Sequence, residues 1–433
     1  MIARALLIVS LVLTVGCEKT DHESIEKWRR TEKGPGKLKK ALGDEKLDPD
    51  LSAHAGAVMI SSSADGDVRT AFDSMSPTRK SAVLAKLVPR LWEMARIQRE
   101  DALPAGPQII AKDMLINLRK HGDDATRKQI DAYLVDWYGV MSYEGRAKVG
   151  STLGSTAVRM IGPAAGKKLI PVLNGIIAAP GQEKTKIRIG DELMLGIAAS
   201  GDPDGVKLLI DVAHLDRADP SLPSRAMNAL RRAYVDPQGL FDMVDPASLK
   251  PSLPALIGMA KDEGFSGAPQ DMAIELIRRV GAPDCLEPLV SLIGLPHPNP
   301  RFRYATGQAA LLCGGAPSVL AVVRALPDGS YDKDELVGAI AAEIAKMGPR
   351  DQVLASLRQL LDDKGTVEKW VAMESLALMK SAEDAPRIAA LAGAKDRLTG
   401  YWGDQRSVAA AERKSDPTLG DRAKELAAQL GAK

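Results

Sequence analysis

Aromatic residues are scarce, 16 in a chain of 433 (Phe 4, Trp 5, Tyr 7), too few for a base-stacking or sugar-stacking surface to be the default expectation. Cysteine is scarcer still. Three thiols can make neither a disulfide framework nor a multi-thiolate zinc cluster. No charge of one sign dominates: 58 basic and 56 acidic residues leave a net +2, which gives no general pull toward nucleic acid or acidic lipid. Beyond residue 17 no apolar run reaches 18 residues, the length that reads as a transmembrane helix. With 45% apolar and 26% charged residues, wholesale disorder is excluded too. The length suggests two or three domains or one elongated array.

Motifs for chemistry are equally thin. The stretch GPAAGKK at 162–168 resembles a phosphate loop, but it is one residue short between its glycines and has Lys168 where Ser or Thr would hold magnesium. The five histidines, His22, His54, His121, His214 and His297, are far apart in sequence and match no His-Glu-x-x-His spacing. No Gly-x-Ser-x-Gly elbow occurs, and neither Cys285 nor Cys313 has a neighbouring histidine as base. The sequence therefore leads us to expect no enzyme, no cofactor and no metal.

The N-terminus carries an address. Arg4 supplies a positive start and residues 5–15 an apolar stretch of export-signal length. The following Leu13-Thr14-Val15-Gly16-Cys17 resembles the lipobox of bacterial lipoprotein precursors, departing from it at Thr14, where Leu is usual. The resemblance implies removal of residues 1–16 and acylation of Cys17, with the membrane as a partner through the acyl chains. Glu18, in place of the aspartate that resembles an inner-membrane retention signal, points to the outer membrane, on its periplasmic or surface face. An ordinary secretory signal followed by a coincidental cysteine is the alternative.

The body repeats. A helical run ends in a turn residue, and a short Pro/Asp/Gly stretch opens a second apolar helix. The turn residues are Gly122, Gly162, Gly201, Gly281, Gly315, Gly348 and Ser381, spaced by 40, 39, 80, 34, 33 and 33; the long gap holds one more turn near Val235 and Asp236. Gly suits the left-handed residue that closes a helix, Pro suits the start of the next, as at Pro203, Pro283 and Pro317, and Ser381 with Asp384 has capping spacing. Units of this size and order resemble HEAT and armadillo-like repeats, although several lack the Asp and Arg typical of HEAT. The resemblance implies an all-α fold, an α-solenoid of antiparallel helix pairs. The expected organisation is a tether at 17–24, degenerate helical repeats at 25–100, the repeat array at 101–395 and a helical cap at 396–433. Thr20 with Glu23 has the spacing of a capping box opening a first helix over 24–30.

A solenoid offers a long accessible face, so the leading expectation is a monomeric, membrane-anchored scaffold that binds another envelope protein, with no nucleic-acid partner. A small-ligand or lipid carrier, or an accessory subunit of an envelope enzyme, is the alternative. Candidate anchors are the scarce aromatics Trp137, Tyr138, Trp370, Tyr401 and Trp402, and above all the cluster Arg301, Phe302, Arg303 and Tyr304 after the PHPNP loop; a helix start packing its aromatics inward is the competing reading. Cys285 and Cys313 fall near the same edge of adjacent repeats and could form a disulfide or stay as two buried thiols. Cations recur just before the turns (Arg119, Lys120, Arg159, Arg231, Arg232, Arg278, Arg279, Lys346, Lys380). They read either as a basic ladder for an acidic partner or as charges complementing helix dipoles.

Overall fold

The computed structural model describes residues 19–96, 106–140, 157–179, 189–215, 221–238, 242–265, 267–296, 301–327, 333–401, 412 and 414–431. The fold is all-α, built from packed helix pairs; the one β feature among these residues is an isolated bridge between Arg397 and Thr418. The chain divides into two compact units, one of residues 1–176 with 188–196, the other of 177–187 with 197–433.

The first unit contains α1 (His22–Trp28), α2 (Gly34–Gly43), α3 (Pro49–Ser61), α4 (Asp65–Ser74), α5 (Pro77–Ala95), α6 (Gly106–Leu118) and α7 (Asp124–Val140). Helix α3 packs on α2 and α5, and α5 on α6 and α7. Ile25, Phe72, Leu87, Met114 and Trp137 all belong to one buried cluster. Helices on both sides of residue 100 share this core. Local chemistry fixes the starts. Pro77 opens α5 behind Ser76, whose side chain accepts from the Arg79 amide. The first helix begins at His22 rather than at 24, because Asp21, not Thr20, is its cap and accepts from the Ser24 amide at 2.9 Å.

Helix α8 (Pro163–Ala178) starts at the GPAAGKK stretch, after a helical segment at 157–161 and not after a strand. A phosphate loop has no strand to stand on there. Helix α9 (Asp191–Ser200) follows.

The second unit continues with α10 (Pro203–Leu215), α11 (Ser221–Tyr234), α12 (Leu253–Lys261), α13 (Ala268–Val280), α14 (Leu286–Ile293), α15 (Arg301–Gly314), α16 (Val319–Arg324), α17 (Lys333–Ala345), α18 (Arg350–Leu361), α19 (Thr366–Leu378), α20 (Ala385–Ala389) and α21 (Leu419–Gly431). Helices α11, α13, α15, α17, α19 and α21 stack in that order, each on the next. The second helices of the pairs form the other layer, with α14 against α16 and α16 against α18. Each repeat thus buries its apolar face against its neighbours, as a helical-repeat array requires.

The turns fall where the repeat pattern places them, but the left-handed residue varies. Gly162, Gly201, Gly281 and Gly315 have φ of 77°, 69°, 89° and 62°, a region that strains any residue with a Cβ. Gly122 instead has extended φ −78°, and the 3-10 turn Arg119–His121 closes α6. At the last turn the left-handed residue is Lys380 (φ 55°) and not Ser381; Ser381 donates its hydroxyl to Asp384 at 2.8 Å and leaves the helix amides uncapped. Pro283 sits within the turn, three residues before α14 begins. The long gap in the repeat spacing holds the further turn at 235–236 and, after it, a segment at 242–252 that folds back: Val244 donates to Ala233 O at 3.0 Å, and its Cγ1 would lie 2.9 Å from a Cβ at Gly201.

Candidate functional site

The 301–304 cluster does not form a surface anchor as a group. Phe302 is 1% exposed and Thr306, Ala309 and Ala310 are buried beside it in sequence. That i, i+4, i+7, i+8 series is the inward stripe of α15, so Phe302 is a core residue. Arg303 and Tyr304 fall beside that stripe and are half-buried; Arg303 donates to Leu295 O at 3.3 Å. The side chains of Arg301 and Tyr138, the whole of Trp402 and the acylation candidate Cys17 lie outside the described residues. Trp137 and Trp370 are also core residues, 1% and 2% exposed, and the Trp137 indole donates to Ala95 O at 2.7 Å. Tyr401 stacks on Trp370 at 5.8 Å, with the Arg422 guanidinium 5.7 Å from its ring. Cys285 and Cys313 are bonded to each other, their Cα atoms 6.4 Å apart. The bond ties the end of α15 to the start of α14, and closing a loop of 28 residues is worth about 3–4 kcal/mol on the chain-entropy argument.

Three of the nine cations before the turns are neither a ladder for a partner nor simple dipole charges. Arg231 in α11 donates to Glu275 in α13 at 2.6 Å, and Arg279 in α13 returns a bond to Tyr234 O, the end of α11, at 2.8 Å. Arg119 holds Asp131 through two bonds of 2.6 and 2.8 Å, which raises its own pKa. Arginines outside the expected series repeat the device. Arg324 pairs with Asp363, Arg350 donates to Met379 O, Arg358 grips Asp384 and Glu383, and Arg422 grips Glu374. These arginines clamp helices together, Arg119 within one pair and the others from one repeat to the next, and a planar guanidinium suits two-bond geometry such as that of Arg119, Arg324 and Arg422.

Exposure falls elsewhere. Leu312 and Leu378 are 59% and 54% exposed, and each lies three residues before its turn residue, Gly315 or Ser381. Ala345 occupies the same place in the intervening repeat, so the three positions are separated by 33 and 33 residues. Because α15, α17 and α19 stack in order, equal register aligns Leu312, Ala345 and Leu378 along one turn-side edge of the second unit. The edge belongs to the first helices of the repeats.

The first unit holds a polar constellation of a different kind. His22 and Glu26 are one turn apart on α1, Asp50 and His54 one turn apart on α3. The pairs cross: His54 Nε2 meets Glu26 Oε1 at 2.8 Å and His22 Nε2 meets Asp50 Oδ2 at 3.2 Å. The two Nδ1 atoms then face each other at 2.8 Å. A hydrogen bond between two ring nitrogens needs one N–H and one lone pair, while both Nε2 atoms need protons to donate to carboxylates. Arg90 holds Asp50 from the far side at 3.0 and 3.1 Å. Burial raises the Asp50 pKa, but Arg90 and then His22 pull it down further, so the carboxyl lies below its ordinary range. The i, i+4 spacing of each His–carboxylate pair is visible in the sequence; the crossing is not, because it depends on how α1 lies on α3.

A buried cation completes the inventory. Lys112 is 2% exposed, its Nζ paired with Asp113 and 5.2 Å from the Trp137 ring. Burial lowers its pKa against the raising effect of Asp113. Among the described residues no group of three or more His, Cys, Asp and Glu is placed to hold a metal ion, and no helix is long and apolar enough to cross a membrane.

No protein-family model and no curated protein matches the chain. Among solved structures it is similar to human deoxyhypusine hydroxylase in complex with glycerol, at 18% identity and a TM-score of 0.25, covering 69% of this chain and 98% of that one. The expectation of no enzyme meets a contrary finding here, since the matching structure is an enzyme; at this TM-score the likeness gives this chain no activity. The expectation rested on missing motifs, and helix packing can gather reactive groups that the sequence scatters, as it gathers His22 and His54.

Proposed function

We propose that the chain is an envelope lipoprotein, anchored through Cys17 at the outer membrane, whose helical repeats act as a scaffold for another envelope protein. The observation that carries the binding part is the apolar edge on which Leu312 and Leu378 are exposed, with the half-buried Ala345 in register between them. Large exposed apolar side chains in one register are what a protein partner covers. The lipobox resemblance at 13–17 supports the anchor; two or more acyl chains hold a protein stably at a bilayer, where one holds it marginally. The binding face is tested by photo-crosslinking from positions 312 and 378.

The anchor is tested by detergent phase partition. The mature chain is expected in the detergent-rich phase, and Cys17→Ala in the aqueous phase or uncleaved. Partition unchanged by Cys17→Ala would remove the lipoprotein reading and leave the repeat scaffold without its address.

A further inference from the structure

We propose that His22 and His54 form a binding site for a divalent transition-metal cation of tetragonal preference, such as nickel(II) or copper(II). The two Nδ1 atoms face each other at 2.8 Å, and both Nε2 atoms are engaged by carboxylates, Glu26 on His54 and Asp50 on His22. That is the arrangement in which a carboxylate fixes the tautomer of a metal-binding histidine and raises its basicity. With both Nε2–H groups donating outward, the Nδ1 atoms are the ring nitrogens left to ligate a cation.

The spacing selects the geometry. Two nitrogens about 2.0 Å from a metal and at right angles around it are about 2.8 Å apart, the observed separation; at a tetrahedral angle they would be about 3.3 Å apart. The separation is that of two neighbouring ligands on a square-planar or octahedral ion, which the rings, facing each other with centroids 4.9 Å apart, meet by turning in place, whereas zinc requires the nitrogens to move apart as well. Charge agrees, since two carboxylates back two neutral rings and Arg90 balances part of one. His22 is half-exposed and His54 is 13% exposed on its side chain, so solvent supplies the remaining ligands. With no third protein ligand converging among the described residues, the site exchanges its ion readily.

The test titrates the full, detergent-solubilised chain with nickel(II), zinc(II) and copper(II) salts against a chromophoric chelator, and records the copper(II) electron paramagnetic resonance spectrum. One ion per chain, nitrogen hyperfine coupling, and nickel(II) bound at least several-fold tighter than zinc(II) are expected. His22→Ala and His54→Ala should each weaken binding by tenfold or more, Glu26→Gln by a smaller factor, and His121→Ala and His214→Ala should leave it unchanged. His22 opens α1 at the surface, so His22→Ala gives the reading even if His54→Ala fails to fold; circular dichroism checks both. Binding indifferent to His22→Ala would overturn the site. Zinc(II) bound tighter than nickel(II) would overturn its tetragonal assignment.

Discussion

Phe302→Ala is expected to destabilise the second unit by about 3–5 kcal/mol, the cost of removing a fully buried phenylalanine and leaving its cavity. In a unit of this size that lowers the melting temperature by on the order of 10 °C. The side chain is 1% exposed on the inward stripe of α15, which packs against α13, α14 and α17. The folded fraction of the variant should capture the same partners as the parent chain, because Phe302 offers no surface. Thermal unfolding followed by circular dichroism, with affinity capture below the transition, separates the two effects. A loss of partners with unchanged melting would restore Phe302 as an anchor.

Asp384→Asn is expected to cost about 2–3 kcal/mol, below the full figure for breaking a buried ion pair because Arg358 remains a third exposed. Asp384 is 1% exposed and accepts from Arg358 at 2.8 and 3.0 Å and from Ser381 at 2.8 Å. Burial raises its pKa, and Arg358 and Ser381 together pull it below the ordinary 3.8. A carboxylate depressed on folding stabilises the protein above its unfolded pKa and loses that contribution as pH falls through the folded value. The parent chain should therefore lose stability on acidification below about pH 4, and Asp384→Asn should lack that part of the slope. Chemical denaturation at pH 7 and pH 3 reads both. Equal stability at pH 7 and parallel acid slopes would show that the Arg358 clamp holds nothing.

Much of the fold was legible because its signals are local. A glycine before a short polar stretch marks a helix end whatever surrounds it, and Gly162, Gly201, Gly281 and Gly315 take the left-handed backbone that only such residues adopt without strain. Gly122 and Ser381 occupy the right places with other conformations, since a 3-10 turn in one case and Lys380 in the other close the helix. The roles of the charges were not legible. Arg231, Arg279 and Arg358 look alike as cations near helix ends, and only packing shows that each reaches into a neighbouring repeat. Phe302 shows the same limit from the other side. An aromatic between two arginines reads as an anchor in sequence, yet its place on the α15 stripe turns it inward. The histidine pair lay half in view, two His–carboxylate spacings of one helical turn whose crossing depends on α1 meeting α3.

The proposal that the repeats hold an envelope protein along their exposed apolar edge is tested most directly by photo-crosslinking in intact cells. A benzophenone amino acid replaces Leu312 in one strain, Leu378 in a second and Gln352, an exposed residue on α18, in a third. The expected result is a covalent adduct to one and the same envelope protein from positions 312 and 378, and none to it from 352. No adduct from either leucine position, or adducts to unrelated proteins from the two, would contradict a scaffold that binds through this edge.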